Sequence, residues 1–159
     1  MDFRSESHRR AYFKARDYLF ELFGEVNVSA VNCALALQEG STFVYIRAFP
    51  IGEDKAGVEI FAHVLADVAV TEELTRYLLS YNLKLVMGGF GLAVGKDGRG
   101  SVLLTHTILG DCMDPDELYA SVTAIARVAD SLDDQLVARF GGKTAMRKLG
   151  EIPPPSRWT

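Results

Sequence analysis

The chain has 159 residues, 48% of them hydrophobic and 24% charged, with a formal net charge of −4. That is the size and make-up of one ordinary globular domain, and it excludes a disordered chain, which would hold fewer apolar residues and more net charge. The acidic balance also argues against nucleic-acid binding, which needs a clustered basic surface; the densest basic group, Arg9, Arg10, Lys14 and Arg16, is diluted by Asp17 and Glu21.

Residues 5–24 read as an amphipathic helix, because Ala11, Ala15, Tyr18, Leu19, Leu22 and Phe23 recur at three- and four-residue spacing. Ser5 or Ser7 suits its start and Gly24 its end. Three strands are expected next. The first spans about 27–38, where Val31, Cys33, Leu35 and Leu37 alternate with Asn32, Ala34 and Ala36. The second spans about 42–50, is rich in aromatic and β-branched residues, and ends at Pro50. The third spans about 57–68, with Val58, Ile60, Ala62, Val64 and Ala66 on one face and Glu59, Phe61, His63, Leu65 and Asp67 on the other. Such alternation belongs to a sheet with one buried and one partly polar face.

Thr71 starts a short helix whose apolar residues are Leu74, Tyr77, Leu78 and Tyr81, and Asn82 is expected to end it in the left-handed conformation. Residues 83–94 and 101–109 read as strands joined by a glycine-rich hairpin turn. The last helix has the clearest start: Asp114 as N-cap, Pro115 at the first helical position and Glu117 three residues past the cap. Its stripe runs from Leu118 to Phe140, and Gly141-Gly142 close it. The order α-β-β-β-α-β-β-α, with short turns between strands, implies an α+β fold: an antiparallel sheet packed against helices. Residues 1–142 form this single domain, and 143–159, with Pro153-Pro154-Pro155, read as a flexible C-terminal tail.

Chemistry-bearing motifs fail on spacing. The run Gly88–Lys96 has Phe90 where a phosphate loop needs glycine and Asp97 where it needs Ser or Thr. It has Val94 where a dinucleotide loop needs its third glycine. His63 and Asp67 share a strand face about 13 Å apart, too far to share a metal or a proton. Asp111, Asp114 and Asp116 are explained by helix capping and are too few for calcium. No serine sits in a nucleophile turn, and neither cysteine has a histidine beside it in sequence. The expectation is therefore no catalytic residues, no metal and no cofactor. Cys33 and Cys112 read as reduced thiols, although spacing alone leaves a bridge between them open. With no apolar run of about 18 residues and no apolar core near the N-terminus for a secretion signal, the expected location is the cytoplasm, with no membrane partner.

The stretch Val58–Gly142 resembles, as a whole, the superfamily that joins type III secretion chaperones with the YbjN proteins. The resemblance rests on the strand Val58-Glu59-Ile60-Phe61-Ala62-His63-Val64-Leu65 and the helix end Leu78-Leu79-Ser80-Tyr81-Asn82. Phe90-Gly91-Leu92, the hairpin, a strand ending near Ile108-Leu109, and the long helix with Ala129-Asp130 and Phe140-Gly141-Gly142 complete it. The leading helix and two strands extend it over about residues 5–142. It implies a bacterial, non-enzymatic peptide- or protein-binding module, usually a homodimer, that holds a partner segment in extended form; YbjN-type members have been described as regulators.

The residues themselves agree with that implication. Phe43, Tyr45, Phe49, Phe61 and Leu65 exceed what one sheet face needs if helices cover only the other, and an uncovered apolar patch is a common mark of an interface; the alternative, equally weighted, is that helices or a loop cover them. The expected peptide-binding residues are Phe43, Tyr45, Phe61, His63 and Leu65. The expected dimer contacts are Leu74, Tyr77, Leu78 and Tyr81, because their helix carries more apolar surface than one buried stripe requires. The leading function is a cytoplasmic chaperone or adaptor for a partner polypeptide. The alternatives are a dimeric YbjN-like regulatory protein and, third, a small-molecule sensor.

Overall fold

A computed structural model describes residues 3–31, 33–40 and 42–144. Helix α1 (Glu6–Phe23) starts at Ser5, whose hydroxyl accepts from the His8 backbone N–H at 3.1 Å, and Gly24 ends it. Strands β1 (Val28–Val31), β2 (Ala34–Glu39), β3 (Thr42–Ile51) and β4 (Lys55–Ala69) follow. Then come α2 (Glu72–Asn82), β5 (Gly89–Val94), β6 (Arg99–Leu109), α3 (Pro115–Phe140) and a two-residue strand, β7 (Lys143–Thr144). Together they build one seven-stranded antiparallel sheet in the order β1-β2-β3-β4-β6-β5, with β7 added to β4.

Helices α1, α2 and α3 share one face of this sheet and seal the main core. Leu35, Leu37, Val44, Ile46, Val58, Ile60, Ala62, Val102 and Leu104 point up from the strands, and Leu19, Leu74, Leu118, Ile125 and Leu136 point down from the helices. Each fully buried aliphatic side chain there contributes about 1.5–3 kcal/mol. The capping read from sequence holds α3 in place, with Asp114 accepting from the Glu117 N–H at 2.7 Å.

Four expectations are corrected. The strand expected over 27–38 is a hairpin, β1 and β2, because Cys33 adopts the left-handed conformation (φ 66°) and reverses the chain. Asn82 does not take that conformation. It pairs with Phe90 instead, its Oδ1 accepting from the Phe90 N–H at 2.7 Å, which fastens the end of α2 to β5. Residues 83–88 are a loop, and the strand begins only at Gly89. The tail boundary moves as well: Lys143 and Thr144 pair with Ala66 and Leu65 of β4, while the rest of the expected tail, 145–159, lies outside the described residues.

Strand β4 is regular up to His63 and irregular beyond it. Its register against β6 slips once between His63 and Leu65 and again between Leu65 and Val68, each time by one extra residue on β4. A bulge of this kind reverses the in–out alternation. Leu65 therefore joins Val64 in the helix-packed core rather than the face that carries Phe61 and His63. The second slip places Asp67 in the left-handed region (φ 53°).

Candidate functional site

The sheet face away from the helices is built by cross-strand pairing. The turn between β3 and β4 sets Ile51 opposite Lys55, and counting back from it brings Phe49 onto Gly57, Arg47 onto Glu59 and Tyr45 onto Phe61. Each pair shares a face, so the outer side is a ladder of matched partners, the arrangement that stabilises antiparallel sheets. Phe49 lies so closely over Gly57 that the ring occupies the space a β-carbon would need.

At the centre of the ladder the Tyr45 and Phe61 rings stack, with centroids 5.3 Å apart and planes 19° from parallel. Ala36 and Leu103 complete a second small apolar cluster with them, and Val31 and Phe43 border it, half-buried. His63, also half-buried, meets both rings edge-on at 6.1 and 6.3 Å. Burial pushes the Tyr45 phenol above its ordinary pKa.

A buried ion pair adjoins the rings. The Arg47 guanidinium stands 2.5 Å from a Glu59 carboxylate oxygen and 5.6 Å from the Phe61 ring centroid. Thr105 donates to the other Glu59 oxygen at 3.0 Å. A charge-assisted pair with a further donor satisfies a carboxylate that would be costly to bury alone. Composition concealed this pair. The register of the β3–β4 turn was the signal that reveals it.

Of the expected peptide-binding residues, the structure brings Phe43, Tyr45, Phe61 and His63 together on this face. Leu65 is removed from it by the bulge. Among the described residues no helix packs on this side.

A second surface lies at the far end of the sheet. Of the four residues expected at a dimer contact, Leu74 and Leu78 are buried within the protomer's own core, and Tyr77 and Tyr81 pack against it, half-buried. The helix needs that whole stripe to seat on β5 and α3. Its exposed apolar residues are instead Leu79, joined by Leu83 and Val86 from the following loop, the last two 90% and 97% exposed. Sequence reading missed Leu83 and Val86 because it placed them in a strand. Beside them an open groove of about 320 Å3 is walled by Tyr81, Leu85, Met87 and Val128 and rimmed by Lys84 and Arg127.

Elsewhere, Arg99 and Lys143 converge on Asp67 and hold its carboxyl below the ordinary carboxylate range; the Arg99 hydrogen bond is the largest cause. Cys33 and Cys112 are free and exposed. Among the described residues no group of three or more His, Cys, Asp or Glu side chains is placed to hold a metal ion, and no helix is long and apolar enough to cross a membrane.

Residues 16–148 match the family model of the type III secretion (YopN, CesT) and YbjN peptide-binding chaperones, TY-Chap1. No curated protein sequence matches the chain. Among solved structures, the ExsC–ExsE complex matches with a TM-score of 0.57 at 17% identity, over 79% of this chain and 95% of that one. YbjN from E. coli matches with 0.56 at 14% identity, over 77% and 91%. The Yersinia pestis type III secretion chaperone SycH, solved with a fragment of YscM2, matches with 0.52 at 17% identity, over 76% and 98%. At these identities the likeness is one of fold.

Proposed function

This chain belongs to the TY-Chap1 family of type III secretion and YbjN peptide-binding chaperones, and from that premise we propose that it holds an extended segment of a partner polypeptide on the outer face of its sheet. One observation carries the reading: an aromatic patch, Tyr45 on Phe61 with Phe43 and His63 at its border, on a sheet face that no described helix covers. Apolar side chains of an extended segment would seat on the half-buried border of the patch, Val31, Phe43 and His63, above the buried rings. The outermost strands, β1 and β5, offer edge groups for backbone pairing, which supplies affinity while alternate side chains supply selectivity. Two solved structures of the same fold, ExsC–ExsE and SycH with a YscM2 fragment, are complexes with a second polypeptide, which supports the same use here. The activity is binding rather than catalysis, in the cytoplasm of a bacterial cell.

A homodimer accompanies this reading. Leu79, Leu83 and Val86 form the surface for it, because exposed aliphatic residues beside an outermost strand favour burial against another copy.

The test is purification of the tagged chain from its native host. The expected result is a specific co-purifying polypeptide, with light scattering reading two copies of the chain in the complex. Phe43→Asp and His63→Asp, at the border of the patch, should keep the native circular dichroism and lose that polypeptide. Folded variants that retain it would place recognition elsewhere.

A further inference from the structure

The loop that follows α2 walls a groove on the helix side of the molecule, away from the aromatic patch. Residues 83–88 leave α2 through a tight turn, where the Lys84 N–H donates to the Tyr81 carbonyl at 2.8 Å and the Leu85 N–H to that of Asn82 at 3.3 Å. The loop is held at both ends. Asn82 ties its start to Phe90 of β5. Gly88, in the left-handed region (φ 74°), ends it so close to β6 that a β-carbon would meet the Thr105 carbonyl oxygen at 2.7 Å. A wall fixed at both ends gives a groove that exists before anything enters it, as ligand-holding clefts usually do.

Its floor is apolar and its rim is cationic. Tyr81 at the end of α2, Leu85 and Met87 of the loop, and Ala124 and Val128 of α3 line about 320 Å3, each of them half-buried. The core takes one side of these residues and leaves the other open. Met87 is unbranched and adapts to varied side chains. Lys84 on the loop wall and Arg127 on α3 are both exposed, and the Lys84 ammonium lies 5.4 Å from the Tyr81 ring centroid, which keeps it at the groove. Other arginines of these helices are paired within the chain, Arg76 with Glu72 and Arg139 with Glu73. Among the described residues neither Lys84 nor Arg127 meets a carboxylate. A two-fold contact between copies centred on the groove would set these cations against themselves, and like charges held close together repel. A partner that combines apolar side chains with carboxylates complements floor and rim together.

We propose that this groove binds an acidic amphipathic segment of a partner polypeptide, with apolar side chains on Leu85, Met87 and Val128 and carboxylates at Lys84 and Arg127. The site is separate from the outer sheet face and does not rest on the reading of that face. A segment that enters as a helix presents its anchors at i, i+3 and i+7, apolar side down. Val86, at the lip, is shared with the surface assigned to the homodimer; the two cations are not, so charge separates the two uses.

The probe is a fluorescein-labelled helical peptide with leucines at i, i+3 and i+7 and glutamates beside them; its counterpart carries lysines in place of the glutamates. Fluorescence anisotropy with the full chain should show saturable binding of the glutamate peptide below about 1 mM, weakened by salt, and none of the lysine peptide. Lys84→Glu with Arg127→Glu changes only exposed side chains and should keep the native circular dichroism. It should weaken the glutamate peptide about tenfold, since attractive exposed pairs become repulsive ones, and bind the lysine peptide instead. Phe43→Asp should leave both peptides as they are with the unaltered chain. No binding of the glutamate peptide at about 1 mM, equal binding of the two peptides, or a charge-reversed chain with the original preference would overturn the proposal. So would loss of the glutamate peptide with Phe43→Asp, which places it on the outer face. A change in the light-scattering mass on charge reversal would overturn it too, because it assigns the groove to a contact between copies.

Discussion

The two faces of the sheet are made by the same strands and hold equally buried residues, yet they are built on different principles. Ile60, pointing at the helices, and Phe61, pointing away, are 0% and 1% exposed. Across the strands Ile60 meets Ile46 and the imidazole of His106 rather than an ion pair, and α1 and α3 close the space. Around Phe61 lie a phenol, an imidazole and the Arg47–Glu59 pair. A face meant only to be sealed has no need for a buried ion pair, which a hydrophobic pair of similar volume usually equals or betters in stability. Burial alone therefore does not distinguish the two faces; the ion pair buried on the outer one does.

The largest effect expected of that comparison comes where β4 crosses from one principle to the other. Leu65→Asp sets a carboxylate among the helices and should cost more than about 4 kcal/mol or abolish folding, whereas His63→Asp, two residues earlier, should leave the chain folded. Urea denaturation followed by circular dichroism compares them. Equal stability would mean that the bulge does not turn Leu65 inward, and the two faces would then run unbroken along β4.

Next in size is the ion pair. Glu59→Ala leaves Arg47 without its carboxylate on a largely buried face and should cost about 3 kcal/mol, the lower end for a broken buried pair because Arg47 keeps some solvent. Replacing both, Glu59→Leu with Arg47→Met, should recover most of that loss. A double variant no more stable than Glu59→Ala would show that the outer face depends on its charges for folding.

The smallest effect weakens the cover of the inner face from a distance. Asp114→Ala removes the cap of α3 and should cost about 0.5–2 kcal/mol, with the co-purifying polypeptide retained. Stability held while that polypeptide is lost would move Asp114 from folding to binding and blur the division between the faces.

Local signals in the chain carried much of this. The caps at Ser5, Thr71 and Asp114 depend on neighbours three residues away, and all three accept the expected backbone N–H. The alternation from Val58 to His63 put Phe61 and His63 opposite Ile60 and Ala62, where the structure has them. The α+β class, the antiparallel pairing and the resemblance to secretion chaperones and YbjN were all legible before any coordinate, since element order and periodicity are properties of the sequence itself.

What the tertiary structure alone decided turns on single residues whose conformation is imposed from elsewhere. A left-handed Cys33 divides one expected strand into two, and nothing in an alternating pattern marks that residue as a turn. Two bulges in β4 arise where its register against β6 slips, and the first carries Leu65 inward. Leu74 and Leu78 look like contact residues until α2 is seated on the core and consumes them, which leaves Leu79, Leu83 and Val86 outside. Sequence reports which side chains share a face of a regular element. Only packing among distant segments decides where that regularity breaks, because each break is stabilised by partners far away along the chain.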